Sequence, residues 1–198
     1  MKKPAAVAVP IHPLLAARWS PRALDANRPV PPASLRALLE AARWAPSCFN
    51  DQPWRFLVFE GSDAGALATA RDCLAEGNRW ARSAPILLLS VARETFQRNG
   101  KPNPHGQHDL GMATQNLLLQ AEALELAAHA MAGFDRARAR ESLGIPEGFT
   151  PMAMIAVGFA APESSLSPEA LQKEAAPRER QPVGEIAFAG RWGVSFAG

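Results

Sequence analysis

The residues best suited to ligand chemistry lie in one short stretch, residues 45–56, which reads Ala-Pro-Ser-Cys-Phe-Asn-Asp-Gln-Pro-Trp-Arg-Phe. Asn50 and Gln52 offer uncharged donors and acceptors, the chemistry that reads the polar edge of a flat heterocycle. Pro46 and Pro53 would hold these amides on a stiff loop. The alternative is an ordinary turn, of which Pro, Ser and Asn are equally typical.

Two pairs of arginines stand far apart in the chain. Arg18 and Arg22 belong to the sequence Arg-Trp-Ser-Pro-Arg, and Arg178 and Arg180 belong to Pro-Arg-Glu-Arg-Gln-Pro. Fork-shaped guanidinium donors match phosphate oxygens, so two such pairs in a chain of net charge +2 indicate an anion clamp. Each arginine taken singly could instead be a solvated surface charge. The Ser-Pro step at 20–21 also fits a helix N-cap followed by proline.

Composition places the chain among globular proteins. Its 198 residues, 47% of them apolar, suffice for one domain with a sizeable core. The small net charge of +2 predicts neither a nucleic acid nor a membrane surface as a partner. Cys48 and Cys73 could form one disulfide, but their surroundings do not call for it, and a reducing cytoplasmic setting fits better. Without zinc-type spacing, no metal site is predicted.

The first ten residues are basic and then apolar, as in a signal peptide. Pro4 and Pro10 leave an apolar run too short for the hydrophobic region of such a peptide. No stretch approaches the ~20 apolar residues that span a bilayer. The expectation is a cytoplasmic protein with an N-terminal segment at 1–17 and a single domain at 18–198.

Apolar periodicity predicts alternating strands and helices. The predicted strands are 56–59, 85–92 and 152–159, and the predicted helices are 34–44, 64–74, 109–126 and one that Asp135 caps and that runs to Leu143 before Gly144. The unbroken apolar run at 56–59 predicts a strand buried on both faces. Helix 109–126 is apolar on two sides, which is typical of a domain centre or a subunit interface.

Two segments lack an apolar pattern. Residues 93–108 contain many Gly, Pro and Asn residues, which predicts a mobile loop that could serve as a lid. From residue 161 onwards prolines, serines and charges dominate, so this part has little core of its own. It needs another surface on which to pack.

Four motifs in this order resemble the nitroreductase family of FMN-dependent oxidoreductases. They are Arg-x-Ser-x-Arg from 18, Ala-Pro-Ser-x-x-Asn-x-Gln-Pro-Trp from 45, Gly-Phe-Asp from 133 and Arg-x-Arg from 178. The resemblance runs from about Arg18 to Trp192. It implies an α+β fold with a central, mostly antiparallel sheet flanked by helices, in an intertwined homodimer. The extension at 161–198 would then pack on the partner subunit, and both active sites would lie between subunits.

The resemblance also implies which residues bind FMN. They are Arg18, Trp19, Ser20, Arg22, Pro46, Ser47, Cys48, Asn50, Gln52, Asn78, Arg79, Met131, Ala132, Gly133, Arg178 and Arg180. Arg18 and Arg22 would contact the phosphate and the ring edge, and Arg178 and Arg180 would hold the phosphate. The loop at 46–52 would reach the flavin from the second subunit, with Cys48 as a spacer. Gly133 would let a backbone N–H approach flavin N5. Asn78 and Arg79 could contact the ring or lie on the surface.

The chain departs from the family pattern at two positions. Ala132 stands where some members carry a carboxylate, and Glu125 stands where glycine is common, which puts the geometry of that helix end in question. His129 lies in an apolar run, which favours a hydrogen-bonded core residue over a ligand or base. Trp44, Trp54 and Trp80 are interpreted as core or interface residues.

The resemblance implies that NADH or NADPH reduces the flavin and that a nitroaromatic, quinone or related small molecule takes the electrons in a ping-pong cycle. The flavin itself carries the hydride, so no side chain is assigned as acid or base. One alternative is another flavin reaction, such as dehalogenation or oxidation by O₂. A further alternative is a flavin-binding protein without turnover.

Overall fold

A computed structural model describes residues 3–196 of the chain. Its centre is a four-stranded antiparallel sheet. The strands are β1 (Trp54–Glu60), β2 (Ile86–Arg93), β3 (Ala127–Met131) and β4 (Phe149–Gly158), in the spatial order β1-β2-β4-β3. Met1 and Lys2 of the predicted N-terminal segment, and Ala197 and Gly198 of the predicted domain, lie outside the described residues.

β2 is buried on both faces because its sequence is an almost continuous apolar run. Leu87, Leu89 and Val91 face one core, and Ile86 and Leu88 face the other. β2 pairs with β1 from Trp54–Ala92 to Glu60–Ile86, and it pairs with β4 on its other side. The sheet therefore separates two apolar cores.

Helices cover both faces of the sheet. They are α1 (Pro13–Ala17), α2 (Pro32–Arg43), α3 (Ala64–Asp72), α4 (Gly106–Ala123), α5 (Arg136–Ser142), α6 (Pro168–Ala175) and α7 (Val183–Ile186), with 3₁₀ turns at Cys48–Asn50, Glu76–Ser83 and Glu163–Ser165. α2 and α4 supply one core, and α3 and α5 the other. The predicted α+β fold is confirmed. Within residues 3–196, no helix has the length and apolar character needed to cross a bilayer.

Most helix predictions hold with shifted ends. The Asp135 carboxylate accepts the Arg138 N–H at 2.9 Å and caps α5, as predicted, and Gly144 follows with φ of +64°. α2 begins at Pro32, two positions before its predicted start, because proline suits the first turn. α4 begins and ends three residues earlier than predicted.

One strand prediction is wrong, and one strand was missed. β1 is an edge strand, so Phe56, Leu57 and Val58 are only half-buried and the predicted burial on both faces fails. β3 was not predicted at all. Its sequence, Ala-Ala-His-Ala-Met, has little intrinsic strand preference, and pairing with β4 determines its conformation.

The segment predicted as a mobile loop is ordered by backbone pairing. Thr95 and Pro102 form a bridge, the Phe96 N–H donates to the Lys101 carbonyl at 2.8 Å, and the Asn103 N–H donates to the Glu94 carbonyl at 2.7 Å. Gly106 already begins α4. We call residues 94–103 the hairpin loop.

Glu125 has a left-handed backbone conformation at the end of α4, with φ of +57°. The Leu126 N–H donates to the Ala121 carbonyl at 2.8 Å, and the Glu125 N–H donates to the Glu122 carbonyl at 3.1 Å. These two bonds form a Schellman motif, whose left-handed position usually holds glycine. The family's preference for glycine here therefore has a backbone cause, and Glu125 bears the strain.

Replacing Glu125 with glycine should stabilise the fold. Removal of the strained Cβ outweighs the added freedom of the unfolded chain, so Glu125→Gly should raise the free energy of unfolding by about 0.5–1 kcal/mol. Chemical denaturation measures this change. Gln115→Gly, at an exposed helical position of the same α4, is the control and should lower stability by about 1 kcal/mol. Destabilisation by both substitutions would contradict the prediction.

Candidate functional site

Three arginines from opposite ends of the chain converge. Burial lowers the pKa of the Arg18 guanidinium below its ordinary value, and the charges of Arg178 and Arg180 lower it further, against an opposing effect of Glu122. Arg18 of the N-terminal pair therefore lies within electrostatic reach of both arginines of the C-terminal pair. Like charges held together in this way favour binding of an anion.

Arg178 has a structural role beside that cluster. Its guanidinium donates to the carbonyls of Ala16 and Arg18, both at 2.9 Å, and to that of Lys3. Arg178 thus holds the N-terminal segment in place, and much of its donor capacity is used on backbone. Arg180 is exposed, and its guanidinium donates to the carbonyl of its neighbour Glu179 at 2.6 Å. Of the two, Arg180 is the freer to bind a ligand.

Arg22 is fixed by a buried carboxylate that the sequence did not point to. Glu174 of α6 is 2% exposed, and its two carboxylate oxygens accept the Arg22 N–H at 3.1 and 3.0 Å. The Arg22 guanidinium lies 3.6 Å from the same carboxylate. A search for i,i+4 pairs could not find this contact, because 152 positions separate the partners.

The extension at 161–198 packs in part on its own chain. Ala170 and Glu174 of α6 are buried there. Farther along, apolar side chains face outwards, with Val183 61%, Ile186 64% and Trp192 89% exposed. The extension therefore has an inner part that holds the N-terminal arginines and an outer part with uncovered apolar surface.

His129 on β3 supports the same arginine segment. Its Nδ1 lies 3.0 Å from the Pro21 carbonyl, and its ring stacks on Trp80 with centroids 4.7 Å apart. Burial, together with the charges of Arg22 and Arg18, lowers the pKa of His129 to about 4, against the opposing effect of the hydrogen bond to Pro21. A neutral imidazole that donates to a backbone carbonyl agrees with the prediction of a hydrogen-bonded core residue.

The predicted segment at 131–133 meets Asn78. The Asn78 Nδ2 donates to the Gly133 carbonyl at 2.8 Å, and a Cβ at Gly133 would lie 2.6 Å from that nitrogen. A side chain at position 133 would therefore displace the Asn78 amide from this bond. Met131 is buried and Ala132 is exposed. Arg79 forms a 2.6 Å ion pair with Glu76 on the exposed surface.

The amide loop, residues 46–52, adopts an unusual backbone. Phe49, Asn50 and Gln52 have φ of +54°, +55° and +51°. The Ser47 Oγ accepts the Gln52 N–H at 3.1 Å, and the Gln52 side-chain amide donates to the Asn50 carbonyl at 3.2 Å. Asn50 and Gln52 are exposed, so their remaining polar atoms face outwards.

Within one chain the candidate residues form separate groups. A cavity of about 270 Å³ is lined by Arg18, Trp19 and Glu174 among others. A second, open cavity of about 450 Å³ is lined by Phe49, Asn50, Gln52, Arg55 and Arg98 among others. The two cavities share no lining residue.

Of the three tryptophans assigned to core or interface, Trp54 is buried, Trp80 is half-buried and Trp44 is 72% exposed.

Known proteins match the chain along most of its length. The model of the nitroreductase family matches residues 15–79 and 65–159. A solved structure of an FMN-containing oxidoreductase superposes with a TM-score of 0.89, at 36% identity over 96% of each chain. An FMN complex of a Desulfovibrio desulfuricans protein described as a nitroreductase has a TM-score of 0.70 and 27% identity, over 92% of this chain and 99% of that one.

A sequence relative agrees with this assignment. An NADH dehydrogenase from Thermus thermophilus is 30% identical in an alignment that covers 68% of this chain and 80% of that protein. The fold and the matched residues define an oxidoreductase. The chain belongs to the nitroreductase family.

The buried imidazole should make stability depend on pH. The unfolded chain binds a proton at His129 near pH 6.5, whereas the folded chain resists it until about pH 4. The free energy of unfolding should therefore be unaffected by titration of His129 above pH 6.5. It should fall by about 3 kcal/mol as the pH is lowered towards 4, because only the unfolded chain binds the proton over that range. Urea unfolding at about pH 7 and about pH 4 measures it. His129→Gln cannot titrate and should lose less stability over that range, whereas equal losses in parent and variant would refute the prediction.

Proposed function

We propose that the chain is an FMN-dependent oxidoreductase that takes a hydride from NADH or NADPH and passes electrons to a nitroaromatic, quinone or related small acceptor. The convergence of Arg18, Arg178 and Arg180 is the observation that carries this proposal: the Arg178 guanidinium donates to the Arg18 carbonyl at 2.9 Å, and the charges of Arg178 and Arg180 both act on Arg18. Family membership supports it, as do the FMN-containing neighbours and the NADH dehydrogenase relative.

The residues present fit FMN chemically. Arg18 and Arg180 can donate charge-assisted hydrogen bonds to a terminal phosphate, and Arg178 holds the backbone of the segment that carries Arg18. Arg22 forms an ion pair with Glu174, so its guanidinium is less available to the phosphate. It would instead lie nearer the flavin ring. Gly133 exposes backbone without a Cβ beside Asn78.

Bound FMN would supply the group that accepts and returns the hydride, and the protein would supply orientation and electrostatics. The exposed amides of Asn50 and Gln52 would hydrogen-bond the polar ring edge or the ribityl chain. Asn78 would orient the Gly133 peptide through its bond to that carbonyl. Ala132 offers no side-chain acid, so the proton that completes reduction of the acceptor would come from solvent.

We further propose a homodimer with shared active sites. The amide loop and the arginine cluster border different cavities in one chain, and a second copy could bring one group to the other. The exposed Val183, Ile186 and Trp192 form apolar surface suited to such a partner. We also propose that the protein is cytoplasmic and that it consists of an N-terminal segment at 1–17 and a single domain at 18–198. Both cysteines are free thiols, which suits a reducing compartment.

Anaerobic mixing of the FMN-loaded protein with NADH and with NADPH tests the function. Light scattering should first show that this sample is a dimer. We expect at least one nicotinamide to bleach the visible absorption of the bound flavin, and an added quinone or nitroaromatic to restore it. A protein that binds no flavin, or whose bound flavin stays oxidised with both nicotinamides, would overturn the proposal.

The phosphate site can be tested with Arg180→Ala. Loss of a charge-assisted hydrogen bond should weaken FMN binding by about tenfold to a hundredfold, because such bonds contribute roughly 1.5–3 kcal/mol. Riboflavin has no phosphate, so its affinity should not change. Fluorescence titration with both flavins measures the two affinities.

Arg36→Ala serves as a matched control, since Arg36 is an exposed arginine on α2 outside the cluster. It should leave both affinities unaltered. Equal weakening of FMN and riboflavin by Arg180→Ala, or no weakening of either, would place the phosphate elsewhere.

A further inference from the structure

The amide loop has a backbone that would not hold its shape unaided. Three of its non-glycine residues, Phe49, Asn50 and Gln52, have positive φ within four positions. Such conformations cost of order 1–3 kcal/mol each and persist where surrounding contacts over-determine them. The loop also lies between Pro46 and Pro53, whose nitrogens donate no hydrogen bonds. Contacts from elsewhere in the fold must therefore stabilise it.

One such contact comes from the first turn of α4. Asp109 is 2% exposed, and its Oδ2 accepts the Cys48 N–H at 3.0 Å. Its other oxygen lies 3.4 Å from Nδ1 of His108, whose side chain is largely exposed. The N-terminus of an 18-residue helix favours a carboxylate at this position. Asp109 is thus a buried acceptor joined directly to the backbone of the amide loop.

A second carboxylate joins the loop to the hairpin loop. Asp51 is buried, and its Oδ1 accepts the Gln97 N–H at 2.8 Å. Its Oδ2 is buried without a hydrogen-bond partner among residues 3–196. Asp51 belongs to the loop itself, whereas Asp109 belongs to the helical framework. Asp109 is therefore the contact that fixes the loop relative to the core.

We propose that Asp109 is a positioning residue of the flavin site. It acts through the Cys48 N–H, and by fixing that peptide it sets the amides of Asn50 and Gln52 where a flavin can meet them. Asp109 itself touches no cofactor in this assignment. The inference rests on the proposed function for the identity of the ligand, but the loop geometry can be tested without one.

The two thiols of the chain provide that test. Cys48 lies half-buried in the amide loop, and Cys73 is 1% exposed in the core. In flavin-free protein, Asp109→Ala should raise the rate at which a thiol reagent labels Cys48 by about tenfold or more, because the loop loses its framework bond. Cys73 should stay protected, which reports that the fold is intact.

Three variants serve as controls. Asp109→Asn keeps a carbonyl acceptor, so the reagent should label Cys48 in this variant nearly as slowly as in the parent. Asn116→Ala removes a different bond from α4 to a neighbouring backbone, the 3.2 Å contact with the Ala41 carbonyl, and should leave Cys48 labelling unchanged. If Asp109→Ala also exposes Cys73, Asp109→Leu replaces it, because leucine fills the space without supplying an acceptor. Asp109→Leu should then raise the labelling rate of Cys48 and leave Cys73 protected. Parent-like Cys48 labelling in that variant overturns the proposal.

Flavin binding separates this inference from the proposed function. Asp109→Ala should weaken the binding of FMN and of riboflavin by the same factor, about tenfold or more. The reason is that the loop would contact a part that both flavins share and not the phosphate. Arg180→Ala should weaken FMN alone. Faster Cys48 labelling with unchanged flavin affinity would overturn the positioning role, whereas a parent protein that binds no flavin would overturn the proposed function while leaving the labelling result valid.

Discussion

Repulsion between like charges is the constraint on which the candidate site depends. Arg18, Arg178 and Arg180 lie close enough together that the other two lower the pKa of Arg18. A folded chain holds such a cluster only if other contacts fix its backbone. Arg178 contributes directly, because its guanidinium joins carbonyls of the N-terminal segment to the C-terminal extension. The two ends of the chain are thereby linked at the place where the charge accumulates.

The sheet provides the framework for this link. β2 is buried on both faces, β4 pairs beside it, and β3 adds the edge that carries His129. The His129 ring holds the Pro21 carbonyl and stacks on Trp80, so the arginine segment lies against the sheet edge. The imidazole can do so without adding charge, because burial lowers its pKa to about 4 and so keeps it neutral near neutral pH. A lysine at this position would add a fourth cation to the cluster.

Local patterns in the sequence predicted the elements whose causes are local. The apolar run of β2 and the Asp135 cap of α5 each depend on residues a few positions apart. β3 escaped prediction because its alanines and histidine carry almost no strand preference, and its conformation depends on pairing with β4. The arginine cluster was predictable only from the order of four motifs that resemble a family. The contacts of Glu174 with Arg22 and of Asp109 with Cys48 join distant parts of the chain, and no spacing in the sequence marks them.

Those missed residues share one physical role. Among residues 3–196, the buried charged side chains are Asp51, Asp109 and Glu174. Each accepts a backbone N–H, from Gln97, Cys48 and Arg22 respectively. A carboxylate bonded to a peptide N–H fixes a segment strongly while leaving most guanidinium donors unused. The chain thus positions its polar loops with buried anions, and Arg18 and Arg180 of the cluster keep donors available for the charge of a ligand.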